Sequence, residues 1–116
     1  YSLEDFHSAE DMFPEIERLV KKEKIDALLC NNDQAAFAAQ VCLEKLGVGI
    51  PDDIALIGCD NTEYAQILGL SSIDDERKKQ AQSFVELMID LLKNDVEEEK
   101  KKNIIIKPKL ICRKTS

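Results

Sequence analysis

The stretch 26–60 constrains the fold of this chain more than any other. Asp26-Ala27-Leu28-Leu29-Cys30 reads as a strand, Asn31-Asn32-Asp33 as a polar turn, and 34–46 as an alanine-rich helix. A loop from Gly47 through Pro51-Asp52-Asp53 leads to a second strand, Ile54-Ala55-Leu56-Ile57-Gly58, which ends in Cys59-Asp60-Asn61. So short a strand-helix-strand passage predicts parallel neighbours joined by a right-handed crossover. The two apolar runs predict strands buried on both faces. Each strand ends in polar residues, and ligands of open α/β sheets sit outside the carboxyl ends of the strands.

Helical periodicity marks both flanks of this unit. Ala9, Met12, Phe13, Ile16, Leu19 and Val20 make one apolar face behind Ser8, which with Asp11 resembles a capping box. Pro14 is either tolerated there or moves the helix start later. In 34–46 the small side chains Ala35, Ala36, Ala38 and Ala39 imply either high helix propensity or a close neighbour. Gly47 is the natural stop of that helix. A short helix over 64–68 stops at Gly69, and Leu70-Ser71-Ser72-Ile73 reads as an edge strand or an extended crossing segment. Asp74, Asp75 and Glu76 are expected in the negative first turn of a helix over about 76–92. Its apolar face is Ala81, Phe84, Val85, Met88, Leu91 and Leu92, and Asn94-Asp95 ends it. After a charged loop, Asn103-Ile104-Ile105-Ile106-Lys107 and the residues 109–112 are predicted as extended pieces. The terminal helices carry more apolar surface than so thin a sheet covers. A fragment or a dimer is therefore expected.

Charge and cysteine usage narrow the function classes. A net charge of -7 over 116 residues disfavours a nucleic-acid surface. The one basic run, Lys100-Lys101-Lys102, follows Glu97-Glu98-Glu99 and reads as a solvated loop. The four cysteines, Cys30, Cys42, Cys59 and Cys112, lack metal-ligand spacing, and at least three are expected to be buried free thiols. Reduced thiols suit the cytoplasm. No apolar run is long enough to span a membrane. The chain starts at Tyr1, which suggests a piece of something longer, so the lack of a leader carries little weight.

With Asn32-Asp33-Gln34-Ala35-Ala36, then Gly49-Ile50-Pro51-Asp52-Asp53 through Asp60, then Arg113-Lys114-Thr115, the chain resembles the C-terminal part of lactose-repressor-type bacterial transcription regulators. The resemblance covers essentially the whole chain. It implies an α/β fold: a parallel-sheet, three-layer, periplasmic-binding-protein-like subdomain with Rossmann-like topology, present as a fragment. It also implies that residues 1–116 are the C-terminal portion of a sensor domain, with about 76–95 crossing to a missing N-terminal subdomain. The resemblance further places the DNA-binding domain outside these residues. The expected partners are a small, sugar-like effector, a second copy in a homodimer (with domain swapping through the 76–92 helix as one form), and operator DNA only through the absent domain. No cofactor, metal or membrane is expected.

By position, Asn32 resembles the asparagine that reaches the effector, and Asp60 the aspartate that binds its hydroxyls or ring atoms. A carboxylate accepts, and an amide both donates and accepts, as a polyol requires. Each has a structural alternative: Asn32 can cap its helix, and Asp60 can pin its own loop. The family's Thr-Thr crossing reads Ser71-Ser72-Ile73-Asp74-Asp75 here, which puts Asp75 where a glutamine would reach the ligand. An acid there implies a ligand with more donors or a positive group, or no contact at all.

A transporter-associated periplasmic sugar-binding protein is the rival within this fold, and the unpaired cysteines and the Pro-Asp-Asp element argue against it. An enzyme finds no support, because His7 stands alone and no phosphate loop assembles from the glycines. A receiver-like signalling domain would need an acidic pair near its first strand and a lysine at a late strand end, and neither is in place.

Overall fold

The computed structural model describes residues 8–93 and 103–116. Helix α1 (Ala9–Arg18) starts where Ser8 accepts a hydrogen bond from the Asp11 amide and donates its own hydroxyl to the Asp11 carboxylate. Pro14 lies inside α1 and is tolerated. The helix widens into a π turn, Leu19–Glu23, and ends at Lys24 with φ of 52°. Strand β1 (Ala27–Leu29) follows, then α2 (Asp33–Lys45), β2 (Ala55–Cys59), α3 (Glu63–Leu68), β3 (Ser71–Asp74), α4 (Arg77–Lys93) and β4 (Lys109–Ile111). Past the last turn of α2, Gly47 sits in the left-handed region; its amide donates to the Glu44 carbonyl and that of Val48 to Leu43, a Schellman stop. Gly69 ends α3 in the same backbone conformation.

The sheet runs in the order β1-β2-β3-β4, with the first three strands parallel and β4 antiparallel. One core cluster joins Met12 and Ile16 of α1, Ala36, Ala39, Cys42 and Leu43 of α2, and Ile54, Leu56, Ala65 and Leu70. Ala36 and Ala39 are fully buried, and the Cys42 thiol donates to the Ala9 carbonyl, so the alanines serve the close approach of α2 to its neighbours.

Several expectations need correction. The strands β1 and β2 are not covered on both faces: Leu29 is 63% exposed, and β2 alternates buried with half-buried residues. The side chains that alternate to the far face (Ala27, Leu29, Ala55, Ile57, Cys59, Ile73) are nowhere buried, and Ser71 on that face is sealed by the chain's end, through Arg113, Thr115 and Ser116. Strand β3 is not an edge. It lies between β2 and β4 with Ser71 and Ser72 fully buried, which the sheet tolerates because both hydroxyls are hydrogen-bonded. Asp74 belongs to β3, and Asp75 and Glu76 precede α4, so the acids are not in its first turn. Residues 103–108 join no strand, and Ile104 and Ile105 are exposed. Among the cysteines Cys30 and Cys42 are buried, Cys59 is half-buried and Cys112 is exposed, so two rather than three are core thiols. Burial, and next the Cys59 thiol, push the Cys30 pKa up to about 12. His7, the 94–95 helix end and the 97–102 charged run lie outside the described residues.

No α4 residue is buried, although its apolar face is intact; Phe84, Val85, Met88, Ile89, Leu91 and Leu92 are all exposed. The molecule measures 60 × 25 × 21 Å, and its radius of gyration is 18.8 Å. A compact chain of this length would have about 13 Å.

Candidate functional site

Because β1, β2 and β3 are parallel, their carboxyl ends lie along one edge of the sheet. Asn31-Asn32-Asp33 follows β1, Asp60-Asn61-Thr62 follows β2 directly, and Asp75-Glu76-Arg77 follows β3. Asp60 and Asn61 have φ of 102° and 48°, and Glu76 has 58°, a left-handed backbone that Asp and Asn accept more readily than most residues. Backbone strain of this kind clusters at binding and switch regions.

Asp33 holds the strand ends together. Its carboxylate is 4% exposed and accepts three hydrogen bonds: from the Thr62 amide (2.7 Å), the Thr62 hydroxyl (2.8 Å) and the Ser72 hydroxyl (2.6 Å). One buried carboxylate therefore fixes the start of α2, the loop after β2 and the middle of β3. Asn61 extends the network. Its amide N–H donates to Ser72, its side-chain nitrogen donates to Asp74, and its side-chain oxygen accepts from the Arg113 guanidinium, which also donates to the Leu70 carbonyl.

Asn32 caps α2, accepting from the Ala35 amide at 2.7 Å. Asp60 accepts from Arg77 Nη2 at 2.5 Å, and Asp75 accepts from Arg77 Nε at 3.4 Å. The other Asp75 oxygen, Oδ1, is buried and accepts no hydrogen bond among the described residues. Asp60 and Asp75 thus converge on one guanidinium, while Asn32 stands apart at its cap. An open cavity of about 580 Å³ lies beside them, lined by Asp60, Asn61, Gln66, Asp74, Glu76, Arg77, Lys78, Lys79 and Gln82.

The strand ends are electronegative. The Cys59 thiol is pushed up first by burial and then by the carboxylates of Asp60, Asp33 and Asp75. Arg77 is held charged more firmly than usual, chiefly by Asp60. The Glu76 carboxylate, through its ion pair, raises the Lys109 ammonium. Asp74 lies below the usual carboxylate range because it accepts from the Glu76 amide (2.8 Å) and from Asn61 (3.0 Å). A lowered folded pKa means that the contribution of Asp74 is fully present above about pH 3.9, the unfolded value, and is lost as pH falls through the folded one. Asp74→Asn is expected to flatten the fall of stability below about pH 4, read from urea midpoints at stepped pH.

Sequence reasoning missed Asp33, Asn61, Ser72 and Arg77. The signal for the first three was the Ser71-Ser72 pair, since buried hydroxyls need partners. Arg77 carried none, because it reads as a helix-surface residue. Among the described residues no group of His, Cys, Asp or Glu is placed to hold a metal ion, and no helix is long and apolar enough to cross a membrane.

A mostly parallel sheet with its polar groups gathered at the strand carboxyl ends defines a domain of the open α/β class, whose ligands sit at that edge. The chain belongs to the periplasmic binding protein-like domain family, whose description matches residues 2–116. It is 28% identical over 99 residues to the HTH-type transcriptional repressor PurR of Photobacterium profundum, across 84% of this chain and 29% of that protein. Among solved structures it is similar to a LacI-family transcriptional regulatory protein from Corynebacterium glutamicum (26% identity, TM-score 0.72, covering 93% of this chain and 42% of that one). It is also similar to the lac repressor dimer bound to operator and the anti-inducer ONPF (25% identity, TM-score 0.75, 94% and 38%). The chain therefore spans well under half the length of these relatives.

Proposed function

We propose that this chain is an effector-sensing and dimerisation part of a cytoplasmic, non-enzymatic transcription regulator. A small polar, sugar-like metabolite binds at the strand ends and controls operator binding by a DNA-binding domain outside this chain. The observation that carries the reading is the convergence of Asp60 and Asp75, from the ends of adjacent parallel strands, beside one open cavity. Asn32, just past the end of β1, completes the proposed effector set through its amide nitrogen, which makes no hydrogen bond among the described residues. The relatives' names support regulation over transport or catalysis.

The uncovered apolar face of α4 and the unpaired 103–108 segment fit a crossing of about 76–95 to an N-terminal subdomain, followed by a return. Exposed Phe37, Tyr64, Ile67 and Leu68 offer a separate apolar surface for a homodimer. In the isolated chain, exchange of α4 between two copies is the alternative form.

The test uses the full-length regulator. A panel of sugars, nucleobases and their phosphates is screened by thermal shift, and hits are assayed for a change in operator affinity. The expected hit raises Tm and alters operator binding, and Asp60→Ala weakens both at least tenfold. A hit whose binding is untouched by Asp60→Ala, or that leaves operator affinity unchanged, refutes the reading.

A further inference from the structure

The motif that closes the chain, Arg113-Lys114-Thr115, divides into two parts with different work. Its backbone and Thr115 seat the tail on the sheet. The Arg113 amide donates to the Ser71 hydroxyl (2.7 Å), the Lys114 amide to the Gly69 carbonyl (2.9 Å) and the Thr115 hydroxyl to the Leu56 carbonyl (2.7 Å). Thr115 in turn accepts from the Leu56 and Ser71 amides. None of these bonds uses the Arg113 side chain, so the tail does not need it. The guanidinium reaches in two other directions: Nη1 donates to the Leu70 carbonyl (2.6 Å), just before β3, and Nη2 to Asn61 Oδ1 (2.5 Å), in the loop after β2.

Asn61 fits between its two side-chain partners in one orientation. A guanidinium only donates and a carboxylate only accepts, so the amide must turn Oδ1 to Arg113 and Nδ2 to Asp74 (3.0 Å). With its backbone N–H on the Ser72 hydroxyl, the residue is tied to three partners. That anchoring has a purpose in the turn it belongs to. Asp60 and Asn61 have φ of 102° and 48°, a backbone that persists only where the surroundings fix it. Among the described residues the Asp60 carboxylate is paired with Arg77 alone, whose side chain is 61% exposed. Its direction is therefore set by the backbone of the 60–61 turn.

We propose that Arg113 is a positioning residue of the effector site: through Asn61 it holds the strained 60–61 turn and so aims the Asp60 carboxylate at the cleft. Arg113 is not among the residues that line the cavity, and it acts from the opposite end of the sequence. Both guanidinium nitrogens are needed, because the single ammonium of a lysine does not span the Leu70 carbonyl and the Asn61 amide. The proposal rests on the effector reading above and adds to that site a residue that touches no ligand.

The test is NMR on this chain, comparing the wild type with Arg113→Met, Arg113→Lys, Asn61→Ala and the double variant Arg113→Met/Asn61→Ala. Exchange of the Asp60 and Asn61 amides, which donate to the Ile73 carbonyl and the Ser72 hydroxyl, reports the turn. Exchange of the Leu56 and Ser71 amides, which donate to Thr115, reports the seated tail. The Arg77 guanidinium resonances report where the Asp60 carboxylate points. Arg113→Met is expected to speed exchange of the Asp60 and Asn61 amides at least tenfold and to release the Arg77 guanidinium, with Leu56 and Ser71 within twofold of the wild type. Arg113→Lys is expected to fall between wild type and Arg113→Met. In the Asn61→Ala background, Arg113→Met should change exchange at Asp60 less than twofold. Wild-type exchange of the turn in either Arg113 variant overturns the proposal. So does equal acceleration at Leu56 and Ser71, which would make the side chain a staple of the tail, or a full Arg113→Met effect in the Asn61→Ala background. Such a failure leaves the effector reading standing, because that is decided by operator affinity in the full-length regulator.

Discussion

Asp33→Ala is expected to destabilise the chain by about 4 kcal/mol, through the loss of the hydrogen bonds made to one buried carboxylate. The carboxylate is 4% exposed and accepts from Thr62 twice and Ser72 once, at 2.6–2.8 Å. Hydrogen bonds to a charged group contribute about 1.5–3 kcal/mol each, and a donor left buried without a partner costs about 1–3 kcal/mol. The loop after β2 relaxes towards water in the variant, which recovers part of the sum. Against a typical total stability of about 5–15 kcal/mol, the loss brings the chain near its unfolding limit. Urea unfolding should show a midpoint lower by about 2 M, at an m value of about 2 kcal/mol/M. Asp33→Asn keeps one acceptor and should lose about half as much. An alanine variant within about 1 kcal/mol of wild type would mean that this carboxylate does not tie the start of α2 to the loop after β2 and to β3.

Gly58→Ala is the second large effect, and it acts through the same carboxylate. A Cβ built on Gly58 would lie 2.4 Å from Asp33 Oδ1 and 3.2 Å from both the Asp33 Cα and Leu70 Cδ2. A methyl group cannot share that space, and the Asp33 backbone is anchored in the first turn of α2. The carboxylate must swing away from Ser72, which adds a lost hydrogen bond to the overpacking strain of about 1–3 kcal/mol, for a total of about 3 kcal/mol. Because the clash is chiefly with the Asp33 side chain, the two substitutions should be strongly non-additive. In an Asp33→Ala background, Gly58→Ala should cost at least about 1 kcal/mol less than in the wild type. Additive losses would place the strain of Gly58→Ala elsewhere in β2.

The sequence reading succeeded where one local rule acted alone. Ser8, Asn32, Gly47 and Gly69 stand where capping chemistry puts them, and the apolar faces of α1 and α4 follow from spacing. It failed where a residue's state depends on a distant partner. Ser71-Ser72 looked too polar for a central strand because the hydrogen bonds that bury it come from Asp33, Arg113 and Ser116, each about 40 positions away. The strands β1 and β2 looked doubly buried because their composition suits a covered sheet, but this chain covers only one face. For 103–107 the composition is that of a strand, yet no strand among the described residues pairs with it. Of the candidate site, the strand-end placement of Asn32, Asp60 and Asp75 was legible; the guanidinium between the last two was not, because nothing in the pattern of α4 marks which strand end its first residue reaches.

We propose that this chain is one lobe, with α4 shaped to seat on a surface outside the described residues. Amide hydrogen exchange on the dilute, monomeric chain tests it most directly, comparing 77–93 with β2 and the buried turns of α2. Strong protection is expected in β2 and α2 and exchange through α4 at least a hundredfold faster, with protection of α4 rising with concentration if copies exchange it. Protection of α4 equal to that of β2 in the dilute monomer would mean that the chain buries the helix itself, and would contradict the claim.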